Sequence, residues 1–388
     1  ILLFAYAFDN DPVRIVDLAR GEELPDEVYN AFWDADIEKH AFNAQFERIC
    51  INKHFKIELW PEQWWCTKVH AAVFGLPGSL KDVAKVLKLD EQKDEAGKAL
   101  ITYFCKPCKP TKKNGGRTRN LPHHDPDKWD LFKSYCIQDV NTERAISDYL
   151  TNECPNMPEW IKREYSVDQM INDRGVRIDT ELVNSIIEHN ERYTDTLMAR
   201  ARAITGLENP NAIPQLRKWL IAKGVSANGV TKAIVDDLLK QDLDPEVREV
   251  LQIRKELGKT SVSKYEKMAS TWVLNEFGTH RVHGILQFYG ANRTGRWAGR
   301  LIQVQNFPQN KIKELDALRT LARSGEWDTI ECIYENVNEM CSQLTRTAMV
   351  PSERSTFCVA DYSAIEARVL AWLAGEKWAQ QVFDGDGT

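Results

Sequence analysis

Three stretches of this 388-residue chain combine residue types and spacings that could do chemistry. In Val359-Ala360-Asp361 an apolar run, predicted as a strand over Phe357 to Ala360, ends on a carboxylate, and a helical pattern follows at once. A carboxylate at a rigid strand end suits cation binding, although an N-cap for the next helix has the same local pattern. In Tyr135-Cys136-Ile137-Gln138-Asp139 the outer residues are four apart, so on a helix they share a face. There a Tyr hydroxyl can orient a water and an Asp can hold a metal that activates it, but the spacing alone is common. From Thr279 to Lys313 there are six Arg and Lys and no acid, in a chain whose net charge is −6. A phosphate-tracking surface requires such a stretch, and a solvated loop also permits it.

Cys105-x-x-Cys108 followed by His123-His124 has a spacing that zinc tolerates. Pro107 and the flanking Lys106 and Lys109 suit an exposed basic loop better. With Lys112, Lys113, Arg117 and Arg119 that loop could lie over single-stranded nucleic acid or simply face water.

The elements that position these residues follow from apolar periodicity and caps. Ile1 to Phe8 reads as a strand, closed by the turn Asn10-Asp11-Pro12. His40 to Glu47 reads as a strand running into a helix start, and Ser79 to Leu87 as a helix. Asp125 as N-cap and Pro126 at the first position open a long helix whose apolar face is Trp129, Phe132, Cys136, Val140 and Ile146. Asn152 to Pro158 is a polar linker. From Trp160 to Tyr265 the pattern is helical; Gly175 ends one helix and Asp179 caps the next, with Val183, Ile186, Ile187, Tyr193 and Leu197 inward. Val282 to Phe288 is predicted as a strand, and a helical insertion covers Glu314 to Leu344.

Hydrophobic content of 43% is ordinary for a globular protein, and no run of about 18 apolar residues offers a membrane span. The nine scattered cysteines, with no secretory signal, suggest reduced thiols and a cytoplasmic setting. The apolar start and the glycine-rich end both read as cuts within a longer sequence.

The string Asp361-Tyr362-Ser363-Ala364-Ile365-Glu366-Ala367-Arg368 resembles motif A of family A, DNA polymerase I-like polymerases, with Ala364 where many relatives carry Gln. The resemblance implies that Asp361 binds two Mg²⁺ ions, that Tyr362 offers a carbonyl to metal, and that Glu366 blocks a ribose 2′-OH. Arg293-Thr294-Gly295-Arg296 and Gln305-Asn306-x-Pro308 resemble the family's primer-template contact segment. Arg346 stands where the family has an Arg near the primer or incoming nucleotide, and Arg368 lies in motif A itself. Together Asn43 and Glu47, then Tyr135 and Asp139, resemble the second and third motifs of 3′→5′ proofreading exonucleases. Glu47 occupies a position that is Asp in many relatives, and Glu47 and Asp139 become the implied metal ligands there. Asp36-Ile37-Glu38 lies too close to His40 to be a separate first motif. Asp173-Arg174-Gly175-Val176-Arg177-Ile178-Asp179 resembles the opening of the polymerase domain, and Lys255 to Tyr265 the thumb.

The resulting expectation is an α/β exonuclease domain over 1–152, ribonuclease H-like with a mixed sheet. A mostly helical thumb region over 153–278 and the start of an α+β palm over 279–388 would follow. The implied function is template-directed DNA synthesis with proofreading, acting on primer-template DNA and dNTPs inside a bacterial or phage-infected cell. A free-standing exonuclease and a catalytically silent DNA-binding module are the alternatives.

Overall fold

The computed structural model describes residues 1–89, 97–154, 157–226, 228–258, 262–291, 293–334 and 336–385. Part of the Asn152–Pro158 linker, the middle of Lys255–Tyr265, Asn292 and the last three residues lie outside them.

The N-terminal region opens with an antiparallel hairpin, β1 (Phe4–Tyr6) against β2 (Arg14–Val16). After helix α1 (Asp26–Ala31), strand β3 (Lys39–Ala41) enters helix α2 (Ala44–Phe55), which crosses over to β4 (Trp64–Cys66). β3 and β4 are parallel, as a helical crossover requires. The expected single mixed sheet is instead two separate pairs, because no strand among the described residues bridges them. Side-chain packing joins them: Phe4 and Tyr6 lie against the cluster that holds Trp64 and Trp65. Helices α3 (Thr67–Val73), α4 (Leu80–Leu87) and α5 (Gly97–Cys105) follow.

The long helix α6 (Pro126–Glu153) begins as the sequence predicts. Asp125 accepts the Lys128 backbone N–H, and Pro126, which has no N–H to satisfy, takes the first turn. Trp129, Phe132, Ile146 and Leu150 of its apolar face are buried. The Trp129 indole N–H donates to buried Asp17 at 2.7 Å, which ties α6 to the end of the first hairpin.

Helix α7 (Glu159–Arg174) ends at Gly175, whose φ of +63° and close approach to the Val282 carbonyl exclude a side chain. A short strand missing from the sequence reading, β5 (Val176–Ile178), leads to Asp179, the N-cap of α8 (Thr180–Thr205). Three helices, α9 (Ile213–Ala222), α10 (Lys232–Leu238) and α11 (Pro245–Leu257), pack through Leu216, Leu220, Val235 and Leu251. Burial of each such side chain stabilises by about 1.5–3 kcal/mol. Helix α12 (Ser263–Thr271) runs into β6 (Trp272–Leu274), which turns into β7 (His280–Val282).

The strand predicted over Val282–Phe288 is two. Gly284, at φ +65°, breaks it, and the Asn172 side chain bonds both the N–H and the carbonyl of Leu286. The chain therefore leaves one sheet and opens a second hairpin, β8 (Leu286–Ala291) with β9 (Arg296–Gly299). Helices α13 (Leu315–Ser324), α14 (Trp327–Ile333) and α15 (Val337–Leu344) form the predicted insertion and lead to β10 (Met349–Val350). An antiparallel sheet of order β10-β5-β7-β6 takes strands from both sides of residue 278. Its core joins Ile178, Leu182 and Tyr265 to Val282, Ile302 and Leu344, so a boundary at 278 would divide one packed unit.

The strand predicted over Phe357–Ala360 does not form. A strand needs a hydrogen-bonded neighbour, and none of the described residues pairs with this stretch. Helices α16 (Ile365–Leu373) and α17 (Lys377–Asp384) pack on each other, with Trp372, Leu373 and Trp378 exposed. No described helix is long and apolar enough to cross a membrane.

Candidate functional site

The first group of candidate residues is assembled by β3, α2, α3 and α6. Asn43 takes the N-cap position of α2 without using its side chain as a cap, and its amide oxygen instead faces the Lys68 ammonium at 3.5 Å. Glu47, one turn on, points toward α6. Burial above all, with the Glu143 and Asp139 carboxylates, pushes its carboxyl up to about 7 against the pull of its own backbone N–H and of Lys68. Among the described residues Glu47 Oε2 is buried with no hydrogen-bond partner. Glu143 is also held above the usual carboxylate range by burial, opposed by the hydroxyl of Thr67, which donates to it.

Tyr135, Asp139 and Glu143 are successive i, i+4 positions on one face of α6. The sequence reading took the first two and missed Glu143, although the same spacing carries it. Tyr135 lies deeper than expected. It is 3% exposed, stacked beside Phe132 and covered by Gly97, where a Cβ would meet its ring at 1.9 Å. Among the described residues no three His, Cys, Asp or Glu side chains meet as a metal cage. Asp36 and Glu38 lie in the loop before β3, where Glu38 pairs with His40 at 2.9 Å.

Glu47 leads to a pH prediction with a definite sign. Its folded carboxyl keeps a proton to about pH 7, while the ordinary value is 4.5. The cost of ionising it in the fold is absent below about 4.5, grows as pH rises, and is complete above about 7. In EDTA, Glu47→Gln should melt higher than the parent at pH 8 and equally at pH 4. The gain at pH 8 is at most about 3 kcal/mol. Equal melting at pH 8 would show that Glu47 is not buried as described.

The second group surrounds the β8–β9 hairpin. In its turn the Thr294 and Gly295 N–H groups both donate to the Ala291 carbonyl, and Gly295 sits at φ +68° under the Tyr289 ring. Arg293 and Arg296 are exposed, and the Arg296 guanidinium meets Glu366 of α16 at 3.0 Å. Gln305 packs over Gly299, where any side chain would strike it, and Asn306 donates to Gln303. Arg346 grips the same segment, donating to the carbonyls of Phe307 and Pro308 at 3.1 and 2.9 Å. Arg368 is used internally: it bonds the Ser363 and Phe383 carbonyls and lies over the Phe383 ring, stapling the Asp361 turn to α17. Asp361 and Tyr362 are exposed. Thus the structure joins Arg296 to Glu366 and Arg346 to the Phe307–Pro308 segment, and leaves Asp361 in the open.

The chain is 54% identical over 387 residues to a DNA polymerase of Bacillus phage SP02. Throughout its length the chain is similar to that phage polymerase. The alignment covers all of this chain and 59% of that relative. No family model matches. Among solved structures, the POL domain of Pol1 from M. smegmatis, complexed with DNA primer-template and dNTP, superposes with a TM-score of 0.48 at 14% identity. That match covers 94% of this chain and 54% of the other.

The Cys105–His124 region is a basic loop with its own internal hydrogen bonds. Thr111 and Asn114 cap each other across one turn, and the Asn114 amide donates to the Lys109 and Arg117 carbonyls. Lys106, Lys109, Lys112, Lys113 and Arg119 remain exposed around it.

Proposed function

We propose that this chain forms the exonuclease-like and primer-binding part of a family A, DNA polymerase I-like enzyme that copies a DNA template from dNTPs and trims mismatched 3′ ends. The observation that carries the reading is the 54% identity to a phage DNA polymerase along the entire chain. The β8–β9 hairpin and the acid-free stretch to Lys313 would lie on the sugar-phosphate backbone of primer-template DNA. Arg293, Thr294, Arg296, Gln305 and Asn306 offer the donors, and Arg346 holds the supporting loop. Glu366, tethered by Arg296, would stand against the sugar of the incoming nucleotide.

The exonuclease-like group fits a hard cation. Its donors are carboxylate oxygens, and a buried Glu47 oxygen has no hydrogen-bond partner among the described residues. Glu47 and Asp139 would hold Mg²⁺, which supplies an activated water for phosphodiester hydrolysis when bound. Around Asp361, as around Glu47, the described residues form no three-donor group. In this reading Asp361 is one ligand of a site finished by other parts of the full-length protein. Such an enzyme acts in the cytoplasm of the bacterial host.

The test uses the full-length protein with fluorescent primer-template. With matched dNTPs and Mg²⁺ the primer should lengthen. Without dNTPs, log K should fall with log[salt] with a slope of roughly −4 to −5, as expected if about five phosphates are contacted. No extension would sink the synthetic reading, and salt-independent binding would sink the phosphate-tracking role of the hairpin.

A further inference from the structure

Helix α7 holds the hairpin through two buried side chains, Asp168 and Asn172. Asp168 is 1% exposed. Its Oδ1 accepts the indole N–H of Trp297, in β9, at 2.7 Å, and its Oδ2 accepts the Asn172 amide at 3.1 Å. Asn172 in turn bonds both backbone groups of Leu286, the first residue of β8. The Trp297 ring also meets Phe288 edge-on at 5.1 Å. Both strands of the hairpin are therefore fixed to α7 at adjacent points. Burial raises the Asp168 carboxyl to about 6, against the bonds from Trp297, the Phe288 backbone and Asn172.

Strand geometry makes this contact bear on Arg296. Successive side chains on a strand point to opposite faces. With the Trp297 indole N–H bonded to Asp168 of α7, and Trp297 itself still 41% exposed, strand alternation puts Arg296 on the other face, where it is exposed too. We infer that Asp168 and Trp297 are positioning residues for DNA binding: their bond sets the face of β9 so that Arg296 is presented to the duplex. This rests on the reading that the hairpin meets primer-template DNA.

The experiment is a double-mutant cycle on the full-length protein, measuring primer-template affinity by fluorescence anisotropy at fixed salt. Arg296→Ala should weaken binding about tenfold, as loss of a charge-assisted phosphate contact does. Trp297→Phe keeps an aromatic ring but removes the donor, and should weaken binding about five- to tenfold. In the Trp297→Phe background, Arg296→Ala should then add less than about twofold, because contacting groups are non-additive. A general loss of stability would not produce that shrinkage. If Trp297→Phe yields no folded protein, Asp168→Asn replaces it in the same cycle. Unchanged binding by Trp297→Phe, or two effects that multiply in full, overturns the positioning inference while leaving the hairpin on DNA. Unchanged binding by Arg296→Ala removes the underlying reading instead.

Discussion

Asp361→Asn in the full-length protein should cut primer extension by on the order of 10³-fold or more while leaving the fold untouched. The size follows from the role: a carboxylate that holds the metals of nucleotidyl transfer stabilises charge that develops only in the transition state, and the amide cannot replace its charge. The second half of the expectation comes from the structure. Asp361 is exposed and lies in an irregular segment. Removing its charge should therefore cost no packing, and surface changes of this kind usually stay within about 0.5 kcal/mol. Primer-template affinity should also hold, because the donors assigned to phosphate lie on the β8–β9 hairpin and the Gln305–Asn306 segment. The decisive measurements are single-turnover extension, melting temperature and Kd on one preparation. Near-normal extension would remove Asp361 from the metal site.

Asp139→Ala should abolish degradation of a mismatched 3′ end, on the order of 10³-fold, and leave extension of a matched primer intact. Alanine is the best helix former, so α6 should keep its course through position 139. The change also removes a negative charge beside Glu47, where burial and the Glu143 and Asp139 carboxylates raise the carboxyl. A purified variant that still trims a 3′-mismatched, fluorescent primer at the parent rate would refute the proofreading assignment. A variant that loses both activities would indicate that α6 supports the whole molecule rather than one site.

Where a signal was local, the sequence disclosed it. Asp125-Pro126 opens α6 because a side-chain acceptor and a missing N–H suit a helix start wherever it lies. Gly175 and Asp179 bound their helices for similarly local reasons. The failures are tertiary. Val282–Phe288 has the composition of one strand, but Asn172, more than a hundred residues earlier, captures Leu286 and divides it. Phe357–Ala360 has strand propensity and no neighbour to pair with among the described residues, and propensity without a ladder does not make a strand. At the sites, the i, i+4 rule that linked Tyr135 to Asp139 also reaches Glu143, so that residue was legible. The depth of Tyr135 was not, since it depends on Gly97 lying over the ring.

Glu47 and Arg48 are adjacent on α2, and adjacent helical residues diverge by about 100°. Glu47 faces α6, while Arg48 is buried against α7, bonding Gln169 at 3.0 Å and Asp173 at 2.7 Å. The opposite grip of α7, through Asp168 and Asn172, holds the hairpin. The place where the chain looks severable, the Asn152–Pro158 linker, is thus not where it comes apart mechanically. A chimera joined at that linker, with a foreign α7 lacking Gln169 and Asp173, would leave the buried Arg48 guanidinium only the Leu59 carbonyl, a loss of at most about 3–5 kcal/mol. A junction just after Gly175 carries the acceptors along with the arginine, and the hairpin contacts become the interface to be matched. For recombination between relatives, natural or engineered, α7 travels with the N-terminal half.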